Sequence, residues 1–567
     1  MKKSNFILYN KFHNVKEKSQ KFGISPLTSV ILCNRDIDDD GIKKILSSDL
    51  SDLNDASKLP DVDKAIAIIK ETIDKKKNIR IVGDYDIDGV CATYILYDTI
   101  KKLGGRVSYY IPDRFLDGYG INKNIIDGAI SDKIDLIITC DNGIAAINEV
   151  AYASDNGIDV IVTDHHDIGE LPKAAKAIVN PKRTDVEVKY PFDGICGAVV
   201  AYKMMIRYFE VYKNDKTSVL NDYLDFAMIA TIGDIMPLID ENHIIAKVGL
   251  KNLSKTKNKG LKKLLEISGI DFEKKEITAY HIGFIIGPLI NAAGRMDKAT
   301  SALELFISDD DETIYTLSMK LKKLNDDRKY MTENGALLAR NLVEEKYFDD
   351  KVLVVYVENL GEQVAGIVAG RIKERYNKPT IVLTDTVEEK EAKASCRSID
   401  AYDIFEALNR HRDVLLKFGG HKLAAGFSIM KKDIDVLRKA LNEECELTEN
   451  DFIKKTYIDA EFPFYEMTEE LIIDLEKIEP FGQKFNRPMF ATRDVKTKIL
   501  NVYGSEQNVV KLSFVKDSRE LKGVAFMDAK VLSERLTENE KIDLVYAPKI
   551  NEFNGFKSVE INLLDYR

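Results

Sequence analysis

Asp84-Tyr85-Asp86-Ile87-Asp88-Gly89 ends a β-branched run, and on extended backbone residues i, i+2 and i+4 point the same way. Three carboxylates converging on one spot attract hard cations. The same half-motif opens an EF-hand, but the twelfth position of such a loop is Ile95, where calcium needs a bidentate Glu, and the setting is strand then helix. Cys140-Asp141-Asn142-Gly143 and Asp164-His165-His166 end two more runs of this kind. Alone, the first is a common turn and the second a surface pair of imidazoles. At the carboxyl ends of one parallel sheet they present acids and imidazoles to one crevice, a donor mixture that suits manganese better than magnesium or calcium alone. Neighbouring side chains on extended backbone diverge, so one of His165 and His166 is expected to ligate while the other faces substrate. Thr231-Ile232-Gly233-Asp234-Ile235-Met236-Pro237-Leu238 closes an apolar helical stretch; by itself Asp234 is a helix-end acid.

The elements that must position these residues alternate from Asn78 to Asn180. Short β-branched runs (IRIVGDYD, RVSYYIP, DLIITCD, DVIVTDHH) are separated by helical patterns (GVCATYILYDTIKKLG, NKNIIDGAI, AAINEVAYASDNG), which predicts a parallel sheet with right-handed crossovers and helices on both faces. Ligands of such sheets lie beyond the carboxyl ends of the strands. A second α/β unit starts at Lys351 and ends near Glu446. Between the two, Ile314, Leu317, Leu321, Leu324, Met331, Leu338 and Leu342 recur at three-four spacing, with Arg328 and Gly335 in the remaining slots. This predicts a long helix packed along its own domains rather than a dimeric coiled coil, because the stripe is interrupted and lacks flanking charge pairs. After about Asp451 five short alternating strands fit a small closed barrel of the oligonucleotide-binding type, although a β-sandwich fragment satisfies the same pattern.

DYDIDG, DNG, TDHH and IGDIMPL in this order and spacing resemble the first four motifs of the DHH phosphoesterase superfamily. Gly287-Pro288-Leu289-Ile290-Asn291-Ala292-Ala293-Gly294-Arg295, Ser395-Cys396-Arg397-Ser398 and Gly419-Gly420-His421-Lys422-Leu423-Ala424-Ala425-Gly426 extend the likeness to its bacterial single-strand-specific exonucleases. Glu479-Pro480-Phe481-Gly482 and Asn486-Arg487-Pro488 resemble the entry to the C-terminal barrel of that group. The resemblance implies a parallel-sheet catalytic domain over 61–250 behind a lead-in at 1–60, a helical connector at 251–345, a DHH-associated substrate-binding domain at 346–447 and an OB-like nucleic-acid-binding domain at 451–567. It implies two Mn²⁺ or Mg²⁺ ions on Asp86, Asp88, Asp141, His165 and Asp234, with Asp141 bridging. Asp84 and His166 complete the catalytic cluster, and Asp164 orients an imidazole. Arg295, Arg397 and His421 match substrate-phosphate contacts, with Asn291, Ser395, Ser398 and Gly420 beside them. Arg114 resembles a further phosphate contact, and Tyr119 a platform on which an unpaired base stacks. Without the family match, GGHKLAAG reads as a tight turn before a buried strand.

The implied activity is two-metal hydrolysis of single-stranded DNA from 5′ to 3′, releasing 5′-mononucleotides in repair and recombination. Cooperation with a single-strand-binding protein and a RecQ-like helicase is expected. Two readings compete. A DHH-type phosphodiesterase on short oligonucleotides or cyclic dinucleotides shares the metal centre but generally lacks the barrel, and a non-catalytic replication scaffold predicts eroded ligands, whereas these are intact.

Composition agrees with this. The 567 residues carry Lys+Arg 83 against Asp+Glu 93, a net charge of −10, which argues against coating nucleic acid through bulk positive charge but leaves a metal-held phosphate open. Lys251, Lys255, Lys257, Lys259, Lys262 and Lys263 form an acid-free stretch that reads as a strand-tracking groove or a solvated helix face. Six cysteines form no C-x-x-C pair and are expected to be reduced and buried. His13, His243, His281 and His411 are expected to be structural. The N-terminus lacks an apolar h-region, and Ile282 to Gly294 is too short and Gly-interrupted to span a bilayer, so the expectation is a cytoplasmic monomer.

Overall fold

The first four predicted strands form, and a fifth joins them: β1 (Asn78–Val82), β2 (Arg106–Tyr110), β3 (Leu136–Cys140), β4 (Asp159–Thr163) and β5 (Ala177–Val179). They pair in parallel in the order β2-β1-β3-β4-β5. A computed structural model describes residues 4–11, 13–114, 116–270, 276–386, 388–504, 507–538, 541–553 and 555–567; residues 271–275 of the expected connector lie outside this set. Alternation along the strands sends Ile79, Ile81, Ile138 and Ile161 to one face, under helices Ile87–Lys102 and Gly197–Lys213. Val82, Ile137, Val160 and Val162 go to the other, under Lys123–Ser131 and Ile147–Asp155. Both faces are therefore dry, which is why the strands read as apolar runs. Because β1 lies between β2 and β3, the strand order reverses there, and the carboxyl ends of β1, β3 and β4 lie side by side.

The chain divides into two compact units. One comprises Lys323–Tyr457 with the N-terminal residues as far as Ile7. Its sheet contains β6 (Leu353–Tyr356), β7 (Thr380–Asp385), β8 (Glu391–Arg397), β9 (Leu415–His421) and β10 (Ala424–Met430) in the order β9-β10-β8-β7-β6. Only β6 and β7 run parallel. The segment GGHKLAAG is the β9–β10 hairpin, with His421 opposite Ala424.

The other unit, Leu8–Lys322 with Ile458–Arg567, contains both the parallel sheet and the barrel. The barrel strands are β11 (Phe490–Tyr503), β12 (Val509–Lys516), β13 (Arg519–Phe526), β14 (Lys541–Phe553) and β15 (Phe556–Tyr566). They run β11-β12-β13-β15-β14, and β14 pairs back onto β11, so the sheet is closed around Leu512, Phe514, Leu544 and Tyr546. That closure selects the barrel over the sandwich. The helix Ala529–Glu538, between β13 and β14, has no counterpart in the sequence reading.

The unassigned lead-in contains the helices Val15–Phe22, Pro26–Asn34 and Asp39–Leu46. At the end of the second, Arg35 pairs with Asp459 at 2.6 Å, both side chains buried, and donates to the Asn486 carbonyl at 2.6 Å. The lead-in thus straps the entry to the barrel. The segment after Asp234 meets that entry too: Leu238 N–H donates to the Gln483 carbonyl at 2.9 Å, and His243 Nε2 lies 3.1 Å from the Ile478 carbonyl.

The predicted long helix spans Asp311–Leu342, but its buried face differs from the predicted stripe. Ile314, Ser318, Leu321, Asn325, Thr332, Gly335 and Ala339 are buried, whereas Leu338 is 52% exposed. A helix turns every 3.6 residues, so a stripe at 3.5 drifts about 20° per heptad and leaves the contact face. Gly335 is dictated by packing, since a Cβ there would come within 2.1 Å of Leu360.

Candidate metal centre

The three carboxylates of DYDIDG converge, though not by strand alternation. β1 ends at Val82, and Asp86 is the N-cap of the helix Ile87–Lys102, accepting from the Asp88 and Gly89 N–H groups at 2.9 and 3.1 Å. Gly89 is obligatory, because a Cβ would sit 2.5 Å from the Asp84 backbone. Asp88 lies in the first helical turn, fully buried, and its carboxylate accepts the N–H groups of Gly197 and Ala198 at 2.6 and 2.7 Å. Those amides open the helix Gly197–Lys213, whose positive dipole end faces an acid.

Asp141 follows β3 with φ +61°, the left-handed conformation that Asn and Asp tolerate best among residues with a Cβ. Its neighbour Asn142 is fully buried and donates to the carbonyls of Val82 and Cys140 at 3.0 Å each, tying the ends of β1 and β3 together. After β4, Asp164 Oδ1 accepts the N–H groups of His165 and His166 at 2.7 and 3.1 Å and lies 2.8 Å from His166 Nδ1. This curl corrects the expectation that the two imidazoles diverge. The strand has ended at Thr163, and the rings lie 4.5 Å apart.

Three sets of ligand atoms each lie within 4.8 Å of one another: Asp84, Asp86 and Asp141; Asp88, His165 and Asp234; Asp141, His165 and His166. Asp84 thus groups with Asp86, while Asp88 turns to the second set. Asp141 and His165 each belong to two sets. His165 Nε2 is 3.1 Å from Asp141 Oδ1, 3.5 Å from Asp88 and 3.8 Å from Asp234.

Burial and like charge raise Asp84, Asp86, Asp141 and Asp234. Asp84 is pushed up to about 8 by burial and the neighbouring Asp86, and Asp234 to about 8 by burial and Asp88. Burial and their acidic neighbours also raise Asp86 and Asp141, and burial lowers His165. Asp164 goes the other way: burial opposes ionisation, but the His166 hydrogen bond and charge outweigh it. One oxygen of Asp84 and one of Asp141 are buried without a hydrogen-bond partner among the described residues. Crowded acids with orphaned oxygens, beside neutral imidazole nitrogen, are a donor set for hard divalent cations.

Four of the residues expected to hold substrate surround this cluster. Tyr119, about half exposed, donates from its hydroxyl to the Asp141 carbonyl at 3.1 Å, with its ring edge-on to His166. Arg114 lies over the Tyr85 ring at 5.5 Å. Asn291 accepts the Ile87 N–H at 2.8 Å, so its oxygen holds the ligand loop. Arg295 follows Gly294, where a Cβ would come within 2.1 Å of the Tyr85 carbonyl.

Ser395, Arg397, Ser398, Gly420 and His421 lie in the other unit. A Cβ on Gly366, of the helix Glu362–Tyr376, would come within 3.1 Å of the Arg397 guanidinium and 3.5 Å of Ser395 Oγ, so that glycine leaves Arg397 its room. Gly420 has φ +148° and would clash with Ala425 if it carried a Cβ. His421 is exposed. Ser398 is buried and its hydroxyl donates to the Tyr402 carbonyl at 2.7 Å, so that hydroxyl shapes a loop instead of facing a ligand.

Gly197, Ala198, Asn142, Tyr85 and Gly366 were missed in the sequence. Gly197 and Ala198 lie far along the chain from Asp88, and small residues at a helix start carry no chemical signal. In the lysine-rich stretch, Lys257 pairs with Asp222, Lys259 with Asp311 and Lys263 with Glu266.

Family models match in three places: "DHH family, N-terminal domain" over residues 78–231, "DHHA1 domain" over 349–447 and "RecJ OB domain" over 458–565. The chain is 34% identical over 556 residues to the single-stranded-DNA-specific exonuclease RecJ of Bacillus subtilis, covering 97% of this chain and 69% of that one. It is similar to the crystal structure of Thermus thermophilus RecJ in complex with Mn²⁺, with TM-score 0.83 and 25% identity, covering 99% of this chain and 79% of that one. The corresponding Mg²⁺ complex has the same fold, with TM-score 0.77 at 24% identity, covering 99% and 78%.

Proposed function

The chain belongs to the RecJ family of single-stranded-DNA-specific exonucleases, and from that premise we propose how its residues share the work. The protein is a metal-dependent exodeoxyribonuclease that hydrolyses phosphodiester bonds of single-stranded DNA, with Mn²⁺ or Mg²⁺ as cofactor. The observation that carries this reading is the set of shared ligand clusters at the carboxyl edge of a parallel sheet, in one compact unit with a closed barrel.

We assign Asp84, Asp86 and Asp141 as the residues that would hold one cation and Asp88, His165 and Asp234 as those that would hold the other. When bound, the cations supply Lewis acidity that activates water and neutralises charge on the leaving oxygen. The chain's own part is positional. The Gly197 and Ala198 amides fix Asp88, Asn142 fixes the turn that carries Asp141, and Asp164 holds His166 in orientation with its ring toward the substrate side. Arg114, Arg295, Arg397 and His421 hold phosphates, and Tyr119 meets an unpaired base, which a stacked duplex cannot offer. Residues 61–250 carry the chemistry, 346–447 grip substrate and 451–567 hold the strand. Polarity from 5′ to 3′, release of 5′-mononucleotides, monomeric action in the cytoplasm, and supply of strands by a single-strand-binding protein and a RecQ-like helicase complete the proposal. Six free, buried cysteines suit a reducing compartment.

The test is digestion of one oligonucleotide as single-stranded DNA, duplex and RNA, labelled at either end, with Mn²⁺ and with chelator. Loss of the 5′ label as mononucleotide from single-stranded DNA alone is expected. Cleavage only of very short oligomers or cyclic dinucleotides would leave the metal centre standing and overturn the long-strand reading.

A further inference from the structure

Tyr85 separates two carboxylates of the cluster, and around its ring and backbone the assigned substrate contacts meet. The Arg114 guanidinium lies over its face, 5.5 Å from the centroid, within cation–π range. The Tyr119 ring meets it edge-on at 6.4 Å and 84°. Its carbonyl and Cβ abut Gly294, which brings in the helix Gly287–Met296 that ends in Arg295. The loop that bears Arg114 and Tyr119 is braced independently. Asp117 accepts from the Tyr110 hydroxyl at 3.0 Å and from the Asp113 N–H at 2.8 Å, and its carbonyl accepts from Asn122 at 3.1 Å. The backbone of that loop is therefore fixed without Tyr85. The Tyr85 ring lies beneath the long Arg114 side chain.

We propose that Tyr85 is a positioning residue, a pillar whose aromatic face aims the Arg114 guanidinium at a phosphate of the bound strand while its edge braces Tyr119. The inference rests on the assignment of Arg114 to phosphate binding, and it concerns the ring and not the hydroxyl. A guanidinium above a ring quadrupole keeps its charge and its N–H fork free toward the open side, so the pillar orients Arg114 without neutralising it.

The experiment compares Tyr85→Leu, Tyr85→Phe, Arg114→Ala and the Leu–Ala double variant on a 5′-phosphorylated single strand, with kcat and KM resolved. Mn²⁺ affinity is measured by calorimetry for each variant. Tyr85→Leu is expected to raise KM about 5- to 30-fold, the range of a partly desolvated cation–π contact, with kcat changed less than about 3-fold. Tyr85→Phe retains the wild-type KM, and the double variant is no worse than Arg114→Ala, because both remove one device. Should Tyr85→Leu fail to fold, Tyr85→pentafluorophenylalanine keeps the volume while inverting the ring quadrupole, and the same rise in KM is expected. A raised KM in Arg114→Ala with none in Tyr85→Leu overturns the pillar and leaves the Arg114 assignment intact. An unchanged KM in Arg114→Ala overturns that assignment, and the pillar with it. Loss of Mn²⁺ affinity in Tyr85→Leu shows that Tyr85 holds the ligand loop, which also overturns the proposal.

Discussion

Asp141 is the carboxylate shared by two of the three ligand groups, and it has a buried oxygen with no hydrogen-bond partner among the described residues. Asp141→Asn is the informative substitution, since Asn tolerates the left-handed turn at φ +61° where Ala would add strain. Hydrolysis is expected to fall by about 10³-fold or more, as loss of a metal-held carboxylate removes several kcal/mol of transition-state stabilisation. The metal-free melting temperature is expected to rise, because one member of a crowd of buried acids has been neutralised. Calorimetric melts with and without Mn²⁺ check both claims. The raised carboxyls also give a pH dependence with a definite sign. Burial and neighbouring acids push Asp84 and Asp234 up to about 8 in the folded metal-free protein, from an ordinary carboxyl value of 3.8. The folded state therefore binds more protons than the unfolded one between about pH 4 and 8, so metal-free stability declines as pH rises through that window. Cations must displace those protons, so Mn²⁺ affinity is expected to climb from pH 6 to 8 and level off above it, with proton release visible as a buffer-dependent heat. An affinity flat with pH would contradict the crowded-acid picture.

At the level of elements, two helix N-termini meet at the sheet edge. One is capped by Asp86; the other presents the Gly197 and Ala198 amides to Asp88. Gly197 has no freedom: a Cβ there would lie 2.7 Å from Asp141 Cβ. Gly197→Ala is expected to shift Asp141 and weaken Mn²⁺ binding about 10- to 100-fold, the usual range for outer-shell changes at metal sites, while circular dichroism stays that of the folded protein. Unchanged affinity would mean that the helix start yields instead of the ligand. The strands bearing the ligands were legible because two-sided burial makes them apolar runs bounded by turn residues. β8 was not, since its sequence EAKASCR has weak strand preference and is extended only because β7 and β10 pair with it on either side.

For the whole molecule, the sheet and the barrel share one compact unit, and the lead-in helps hold them together. Arg35→Ala would leave Asp459, 2% exposed, without its charge partner, and breaking such a buried pair costs about 3–5 kcal/mol. The first urea transition is expected to move to lower concentration by a corresponding amount, and Mn²⁺ should recover part of it by mass action on the folded state. If the transition does not move, the lead-in is no strap. Sequence alone marked the parallel sheet and the strand-rich C-terminus, because strand periodicity and turn residues suffice for them, and it offered the acids and imidazoles after the strand ends as candidates. It did not determine which acids pair with which, that the imidazoles lie side by side, that Leu338 leaves the buried face, that Ser398 turns inward or that Arg35 of the lead-in ties to the barrel entry. Those depend on contacts between residues far apart in the chain: amides of one helix on an acid of another, and a guanidinium at residue 35 on a carboxylate at residue 459. No local pattern encodes such contacts; only the packed chain brings them together.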